Sequence, residues 1–400
     1  SLLEGMSVCE SHVLKMMDRY QHIQGLLYYE ERIDLYHKQL RFWYNYLLKN
    51  KINLCLFPVI PHVIFDYVIY SLCKYLGIKV ILFYRTTILL DRNVSIYGMQ
   101  DIETHMHKIS DRYEYCLSNP DAGELSDRIR SYLDLRDGNE NKTFTGVSSK
   151  WDWRKYLSMQ RYIKGFRYRI ANYLHWRKWQ RPLDRMLRVM HRLSQKDVSR
   201  PSFQSDIDLE QPFIYVSLHY QPECSTSPMG GYFVHQDIML DVLMQSIPKD
   251  IKLYVKAHLR EGYSDSILRR MIQDERTVLI EPSMNSFNFI SKSLAVATVT
   301  GTAGWEAFIN KKPVLMFGKY FYQDAPGVHQ VETPTECRQA ISQILAGESI
   351  ITDDMVLAFL KALDELSFPG WVDNRYGEMS DINDEQNCKN IASYIENTLS

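Results

Sequence analysis

The sequence lacks the features that mark several large classes of protein. Its seven cysteines are scattered and odd in number, and none form a C-x-x-C pair. Neither a disulfide framework nor a zinc site is therefore expected. No run approaches the roughly 18 apolar residues that a membrane-spanning helix needs, and Glu4 stands where a signal peptide would carry positive charge. We expect a cytoplasmic protein without a membrane span.

An excess of charge of one sign is also absent, because 47 Lys and Arg face 48 Asp and Glu. The local distribution is uneven: residues 151–200 hold fourteen Lys or Arg and three Asp, a balance of +11. Such a run is usually a solvated helical face, but with Trp151, Trp153, Trp176 and Trp179 it also suits peripheral contact with anionic lipid head groups. No nucleic-acid motif accompanies it, so we expect no nucleic-acid partner.

The length of 400 residues favours two domains. The stretch 200–212 mixes Ser, Asp and Pro without apolar periodicity and predicts a linker. We therefore divide the chain into a domain over 1–205, with a basic helical insertion over about 95–200, and a domain over 206–400 with terminal helices.

Both halves carry an α/β pattern. The first half begins with a predicted helical region that contains the aromatic and basic run "LYHKQLRFWYNYLLKN". The stretches that follow are "NLCLFPVIP", "HVIFDYVIYSLCKYLGI" and "KVILFYRT", and their patterns predict a strand, a helix and a strand. Such a unit builds a parallel sheet. In the second half, helix candidates alternate with the strand candidates "FIYVSL", "KLYVKAH", "TVLIEP", "LAVATVT" and "PVLMFG". Continuous apolar strands are typical of a doubly wound sheet covered on both faces.

The stretch "VTGTAGWEAF", residues 299–308, ends one of these strands on a small, bare turn. Ligands of open parallel sheets bind beyond the carboxyl ends of the strands, and the unpaired amides of a helix N-terminus suit phosphate. Gly301, Ala303 and Gly304 would permit close approach, Thr302 offers a hydroxyl, and Glu306 could accept hydrogen bonds from a ribose diol. The alternative is that the stretch is only a tight strand-to-helix turn.

Two other strand ends carry polar residues. "LYVKAHLR" ends on Lys256 and His258, which could meet a phosphate group or could be a solvated lysine and a hydrogen-bonded loop histidine. The strand "FIYVSL" is followed by a long loop that includes His219, Gln221 and Glu223. A polar, glycine-bearing loop of this length is more often functional than structural.

The motifs "YQPECSTSPMGG", "LYVKAHLR" and "VTGTAGWEAFINKKPVLMFGKYFY" resemble those of the capsule and surface polysaccharide biosynthesis glycosyltransferases, which include the Kdo transferases of bacterial capsule export systems. The resemblance covers about residues 212–325, and the first half only loosely. Ala257 and Leu259 depart from it, since relatives often have Lys-Glu-His-Pro here. The third motif also looks like a turn of the UDP-N-acetylglucosamine 2-epimerases, which share the GT-B architecture.

The resemblance implies a GT-B fold, in which two Rossmann-like domains face each other. The second domain would bind a CMP- or UDP-linked sugar and the first domain the acceptor, with no metal and no other cofactor. The residues implied in donor binding are Gln221, Lys256, His258, Thr300, Gly301, Thr302, Ala303, Gly304 and Glu306.

Three residues are candidates for the catalytic groups. His62 and Asp66 lie four apart, so within a helix they would share a face, and the carboxylate could orient the imidazole as a general base. The alternative for this pair is a helix cap with a solvated Asp66. Glu223 is the rival, as base or nucleophile. The sequence does not rank them.

The leading hypothesis is a glycosyltransferase that moves a sugar, such as Kdo or a hexose, from a nucleotide donor to a capsule, O-antigen or other surface glycan, free or lipid-linked. A sugar-nucleotide epimerase of the same fold and a non-catalytic polysaccharide assembly protein are the alternatives.

Overall fold

The computed structural model describes residues 1–17, 28–85, 95–120, 125–127, 129–130, 133, 203–219, 224–258, 274–372, 377, 380 and 382–400. The predicted basic region over 151–200, with its tryptophans, lies outside these residues, as do Gln221 and Glu223.

The first half contributes three strands and five helices to the description. The strands are β1 (Leu54–Phe57), β2 (Lys79–Arg85) and β3 (Ser95–Met99). The helices are α1 (Leu2–Gly5), α2 (Ser7–Met16), α3 (Tyr29–Lys49), α4 (Ile64–Leu76) and α5 (Ile102–Ser118). β1 and β2 pair in parallel around α4, which confirms the predicted strand, helix, strand unit. The next strand, β3, runs antiparallel to β2. The sequence analysis did not predict β3.

The second half forms a six-stranded, fully parallel sheet of order β6-β5-β4-β7-β8-β9. Its strands are β4 (Phe213–Ser217), β5 (Lys252–Lys256), β6 (Thr277–Ile280), β7 (Ala295–Thr298), β8 (Val314–Met316) and β9 (Val328–Gln330). The helices here are α6 (Gln236–Ser246), α7 (Ser286–Lys292), α8 (Thr302–Ile309) and α9 (Pro334–Leu345). The five predicted strands are confirmed, and β9 was missed.

Local sequence explains where several of these helices begin and end. Gly77 ends α4 with a φ of +69°, a conformation that favours glycine. Thr333 and Glu336 form a reciprocal capping box at the start of α9, where Pro334 fills the first position. All four residues of β7 are buried, as expected for a strand covered on both faces.

The chain returns to the first half at its end. Helix α10 (Asp353–Leu366) packs against α5, where Arg112 forms an ion pair with Glu365. Strand β10 (Phe368–Pro369) pairs antiparallel with β3, and α11 (Asp384–Leu399) places Tyr394 against Phe83 of β2. The division of the chain near residue 205 stays a prediction, but the last strand and helix pack with the first sheet.

The two halves also meet beyond the carboxyl end of β2. Tyr84 is half-buried there, with its ring centroid 5.7 Å from that of Tyr320 and 6.4 Å from that of Phe321. The structure is thus an α/β fold with two sheets, as predicted for a GT-B-like chain. Within the parts of the chain described, no helix is long and apolar enough to cross a bilayer.

Candidate functional site

The predicted polar strand ends do meet at one edge of the second sheet. β4 lies between β5 and β7, and all three strands are parallel. Ser217 at the end of β4 pairs with Lys256 at the end of β5, and Val216 pairs with Ala297 of β7. The segments that follow, 218–219, 257–258 and 299–304, therefore leave the sheet side by side.

The turn at Gly301 is built on Thr298. Gly301 is extended, with φ −74° and ψ 155°, so its backbone conformation does not require glycine. Its N–H donates to Thr298 Oγ1 at 3.1 Å, and its carbonyl accepts a hydrogen bond from the Tyr322 hydroxyl. A Cβ at this position would lie 2.5 Å from Thr298 Oγ1. Glycine is therefore needed here because the Thr298 side chain occupies the space beneath the turn.

Gly304 has a similar explanation in the first turn of α8. A Cβ there would lie 2.4 Å from the Tyr322 hydroxyl oxygen and 3.0 Å from Thr298 Cγ2. Packing against Tyr322 and Thr298 thus accounts for both glycines of the motif, whatever ligand the turn holds. The sequence analysis explained them by close approach of a phosphate, and the structure supplies this second reason.

His219 joins the end of β4 to this turn and was not among the predicted site residues. Its Nε2 accepts a hydrogen bond from the Thr300 N–H at 3.1 Å and lies 3.2 Å from Thr298 Oγ1. An accepting Nε2 requires that the neutral ring carry its proton on Nδ1. Burial, with a smaller effect of His258 nearby, lowers the pKa of His219 to about 4. At neutral pH this ring is an uncharged acceptor.

Gln236 in the first turn of α6 fixes the backbone of His219 from the other side. The Gln236 side chain is fully buried, and it accepts from the His219 N–H at 2.6 Å and donates to the His219 carbonyl at 3.1 Å. Both hydrogen bonds hold the histidine in place. The only sequence signal for this arrangement was a histidine directly after an apolar strand.

Thr300 is buried, and its hydroxyl and amide both form hydrogen bonds to other parts of the protein. Its hydroxyl donates to the Ser225 carbonyl at 2.6 Å, and its amide donates to His219. Both polar groups therefore tie the turn to the loop after β4. The predicted contact between Thr300 and a donor phosphate is not supported by this geometry, because its amide and hydroxyl already have partners.

The start of α8 is the open part of the turn. Thr302 is exposed, and the amides of Thr302 and Ala303 have no acceptor among the residues that the structure describes. The Gly304 amide bonds to the Gly301 carbonyl at 3.1 Å. A helix N-terminus with two such amides and a partial positive charge can bind an anion.

Glu306 and Lys256 lie close together behind this turn. The Lys256 ammonium donates to Ser286 Oγ at 2.8 Å and to the Met284 carbonyl. Burial lowers the pKa of Lys256, while the nearby Glu306 carboxylate raises it. Lys256 thus ties β5 to the start of α7, and the half-buried Glu306 of α8 lies near it. His258, two residues beyond Lys256, is exposed.

The predicted His62–Asp66 pair is not formed as expected. Helix α4 begins at Ile64, so His62 precedes it and the two residues do not share a helical face. The Asp66 carboxylate accepts from the Val63 N–H at 2.7 Å and from the His62 N–H at 3.4 Å. The His62 ring instead places Nδ1 2.6 Å from the Ile60 carbonyl oxygen. Asp66 is a helix-capping residue here, as in the alternative interpretation, but it is half-buried and not solvated.

No group of three or more His, Cys, Asp or Glu side chains in the described ranges could hold a metal ion. The expectation that the reaction needs no metal or other cofactor stays a prediction. The roles of Gln221 and Glu223 also stay predictions, since both residues lie outside the described ranges.

The residues that match a known family model include much of this site. Residues 152–348 match the family model described as "Capsule polysaccharide biosynthesis protein". The predicted resemblance to this family is confirmed. The matched residues include the whole six-stranded sheet, the turn at Gly301 and His219.

Solved structures share low similarity with the chain. A beta Kdo 2,7 transferase, KpsC of Thermosulfurimonas dismutans, is 18% identical over 46% of this chain and 62% of its own, with a TM-score of 0.27. The beta Kdo 2,4 transferase of the same KpsC is 12% identical over 77% and 78%, with a TM-score of 0.38. MnaA of S. aureus, solved with UDP, is 13% identical over 87% and 82%, with a TM-score of 0.29. No match is found among curated proteins.

Proposed function

We propose that this chain is a glycosyltransferase of capsule polysaccharide synthesis that uses a nucleotide-linked sugar, with UDP or CMP as the nucleotide. One observation carries the proposal: the open start of α8 with Glu306, and exposed His258, follow β7 and β5, the two strands that flank β4 in one parallel sheet. Ligands of such sheets bind at this edge. The family match supports the proposed role in capsule polysaccharide synthesis.

Each of these groups has a distinct part in donor binding. The Thr302 and Ala303 amides would donate to the donor phosphate, where the helix dipole favours negative charge. His258 would donate a further hydrogen bond to it. Glu306 lies one helical turn after Thr302 and would accept hydrogen bonds from the ribose hydroxyls.

The same contacts would favour the transfer step. A hydroxyl of the glycan acceptor attacks the anomeric carbon, a new C–O bond forms, and the bond from that carbon to the phosphate oxygen breaks. Negative charge grows on the leaving phosphate, so the amides and His258 would stabilise the transition state more than the ground state. The hydroxyl proton goes to a base, for which Glu223 and His62 are the candidates.

Nucleotide binding is the direct test. Differential scanning fluorimetry and calorimetry with UDP, CMP and GDP should reveal a nucleotide that stabilises the protein by about 2.7 kcal/mol at a hundredfold excess over its dissociation constant. Glu306→Gln should weaken this binding, while Glu348→Gln, an exposed glutamate of the same half, should leave it unchanged. Absence of stabilisation by any nucleotide would support a non-catalytic assembly protein instead.

Product analysis separates transfer from epimerisation. Without an acceptor, a glycosyltransferase should leave UDP-N-acetylglucosamine unchanged or hydrolyse it slowly with retention of the sugar's C2 configuration. Free UDP together with the epimerised sugar would contradict the proposal and favour the epimerase alternative.

A further inference from the structure

A pocket lies in the first half, between the end of α3, β1 and the start of α4. Its volume is about 470 Å³, which is within the usual range of ligand pockets. It is lined by Trp43, Tyr46, Leu47, Ile52, Leu54, Cys55, Leu56, Phe57, Pro58, Val59, Phe65, Asp66 and Ile69. Asp66 is the only charged residue in this lining, and its carboxylate is held by the amides of His62 and Val63. The pocket therefore suits an apolar ligand.

The mouth of the pocket is surrounded by exposed apolar side chains. Phe42 is 58% exposed and Phe65 is 50% exposed, and Tyr46, Leu56 and Val59 are also exposed. Four of these five residues line the pocket itself. A contiguous exposed apolar surface on a soluble domain marks an interaction site. We call this surface, with its pocket, the α3 patch.

Basic residues predominate around the α3 patch, where Asp66 is the one acidic residue of the pocket lining and its carboxylate accepts from backbone amides. Residues 41–65 contain Arg41, Lys49 and Lys51 and no Asp or Glu. All three are exposed. Lys49 lies three residues after Tyr46 and seven after Phe42, so it stands on the same face of α3 as these aromatic side chains. The acidic residues of α3 lie at its other end, in the first two turns.

Aromatic rings, apolar side chains and cations on one face are the features of a helix that lies at a membrane surface. A soluble protein partner would match the cations with acids, but it would not need a pocket that is almost free of polar groups. An anionic bilayer satisfies both features, because its head groups match the cations and its acyl chains match the pocket.

We propose that the α3 patch docks on an anionic membrane surface, with a lipid acyl chain entering its pocket. Docking here is independent of the proposed nucleotide site. Docking would nevertheless take place close to the second half, because Pro58 and Val59 follow β1 at the sheet edge where Tyr84 of β2 contacts Tyr320 of the second half. A membrane bound at this patch lies beside the junction of the two halves.

Vesicle flotation tests the docking. The protein should float with phosphatidylcholine vesicles that contain phosphatidylglycerol and should not float with phosphatidylcholine alone. Phe42→Ser and Phe65→Ser should each weaken binding at least tenfold, while Ile350→Ser, a 70% exposed apolar residue of the second half, should not. Arg41→Gln and Lys49→Gln should each weaken binding about fivefold, and the effect should vanish in high salt. Lys389→Gln on α11 is the matched charge control.

Cysteine labelling reports on the pocket itself. Cys55 lines the pocket, and a hydrogen bond from the Cys73 thiol lowers its pKa, which favours the reactive thiolate. Anionic vesicles should slow maleimide labelling of Cys55 several-fold and leave Cys388, which is exposed on α11, unchanged. Labelling at each site is read by peptide mass spectrometry.

Three results would overturn the proposal. One is the absence of binding to anionic vesicles. The second is vesicle binding that Phe65→Ser does not weaken and that does not slow the labelling of Cys55. The contact would then lie on another surface, such as residues 151–200. The third is a dimer, seen by light scattering, that protects Cys55 without vesicles, since a second copy would then cover the α3 patch.

Discussion

Replacement of His219 by glutamine should make the protein less sensitive to acid. The pKa of His219 is lowered from 6.5 to about 4, chiefly by burial. Between these values the unfolded chain binds a proton that the folded chain does not, so stability falls as the pH is lowered from about 6.5 to about 4. The shift corresponds to a loss on the order of 3 kcal/mol from this residue. Glutamine does not titrate, and its carbonyl oxygen can still accept from the Thr300 N–H.

The measurement is urea unfolding of both proteins at several pH values, followed by fluorescence and circular dichroism. Near pH 7 the two proteins should differ little. Near pH 4 the wild type should have lost roughly 3 kcal/mol more than His219→Gln. Other buried histidines, such as His105, whose pKa is also about 4, titrate in both proteins and cancel in the difference.

A second substitution separates titration from packing. His219→Leu fills similar space but leaves the buried Thr300 amide without its acceptor, which should cost about 1–3 kcal/mol at every pH. Nucleotide affinity should fall with it, since the turn before α8 loses its support. Parallel stability curves for wild type and His219→Gln across this pH range would refute the buried, accepting role of His219.

Three further predictions concern neighbouring groups. Glu306→Gln should weaken nucleotide binding about ten- to a hundredfold by calorimetry, because hydrogen bonds to a charged acceptor are worth roughly 1.5–3 kcal/mol, and unchanged affinity would remove Glu306 from the site. Gly301→Ala should cost about 1–3 kcal/mol because of its contact with Thr298 Oγ1, and Thr298→Ala in the same chain should recover part of that cost; strictly additive effects in urea unfolding would contradict the contact. Asp66→Ala should lower stability by about 0.5–2 kcal/mol through the lost cap and leave the transfer rate unchanged, whereas a rate loss of about a hundredfold or more would restore Asp66 as a catalytic group.

The sequence predicted the elements that local patterns encode. Continuous apolar runs identified the strands β4 to β8, and the order of strand and helix identified the α/β class. β9 was missed because its three residues, Val328–Gln330, contain no apolar run, and β10 because it is two residues long and forms through pairing with the distant β3. No local pattern distinguishes such segments from loops.

The sequence predicted where the candidate site lies in the fold but not the contacts that form it. The strand ends meet as expected, since parallel strands place their carboxyl ends at one edge. The contacts among His219, Thr298 and Thr300 join residues about 80 positions apart, and no spacing rule relates them. The His62–Asp66 hypothesis failed for a local reason: the helix begins two residues after His62, so the Asp66 carboxylate caps backbone amides.

The return of the chain end to the first sheet has a consequence for how the protein is made. Phe368 pairs with Ile96, so during synthesis this edge of β3 stays unpaired until Phe368 has left the ribosome. Contacts between such distant residues form slowly, and an unpaired strand edge is open to pairing with other chains in the meantime. The second half has all six of its strands between residues 213 and 330 and can be completed earlier. We expect the later half of the sequence to fold first, and nascent chains that stop before β10 to need chaperones.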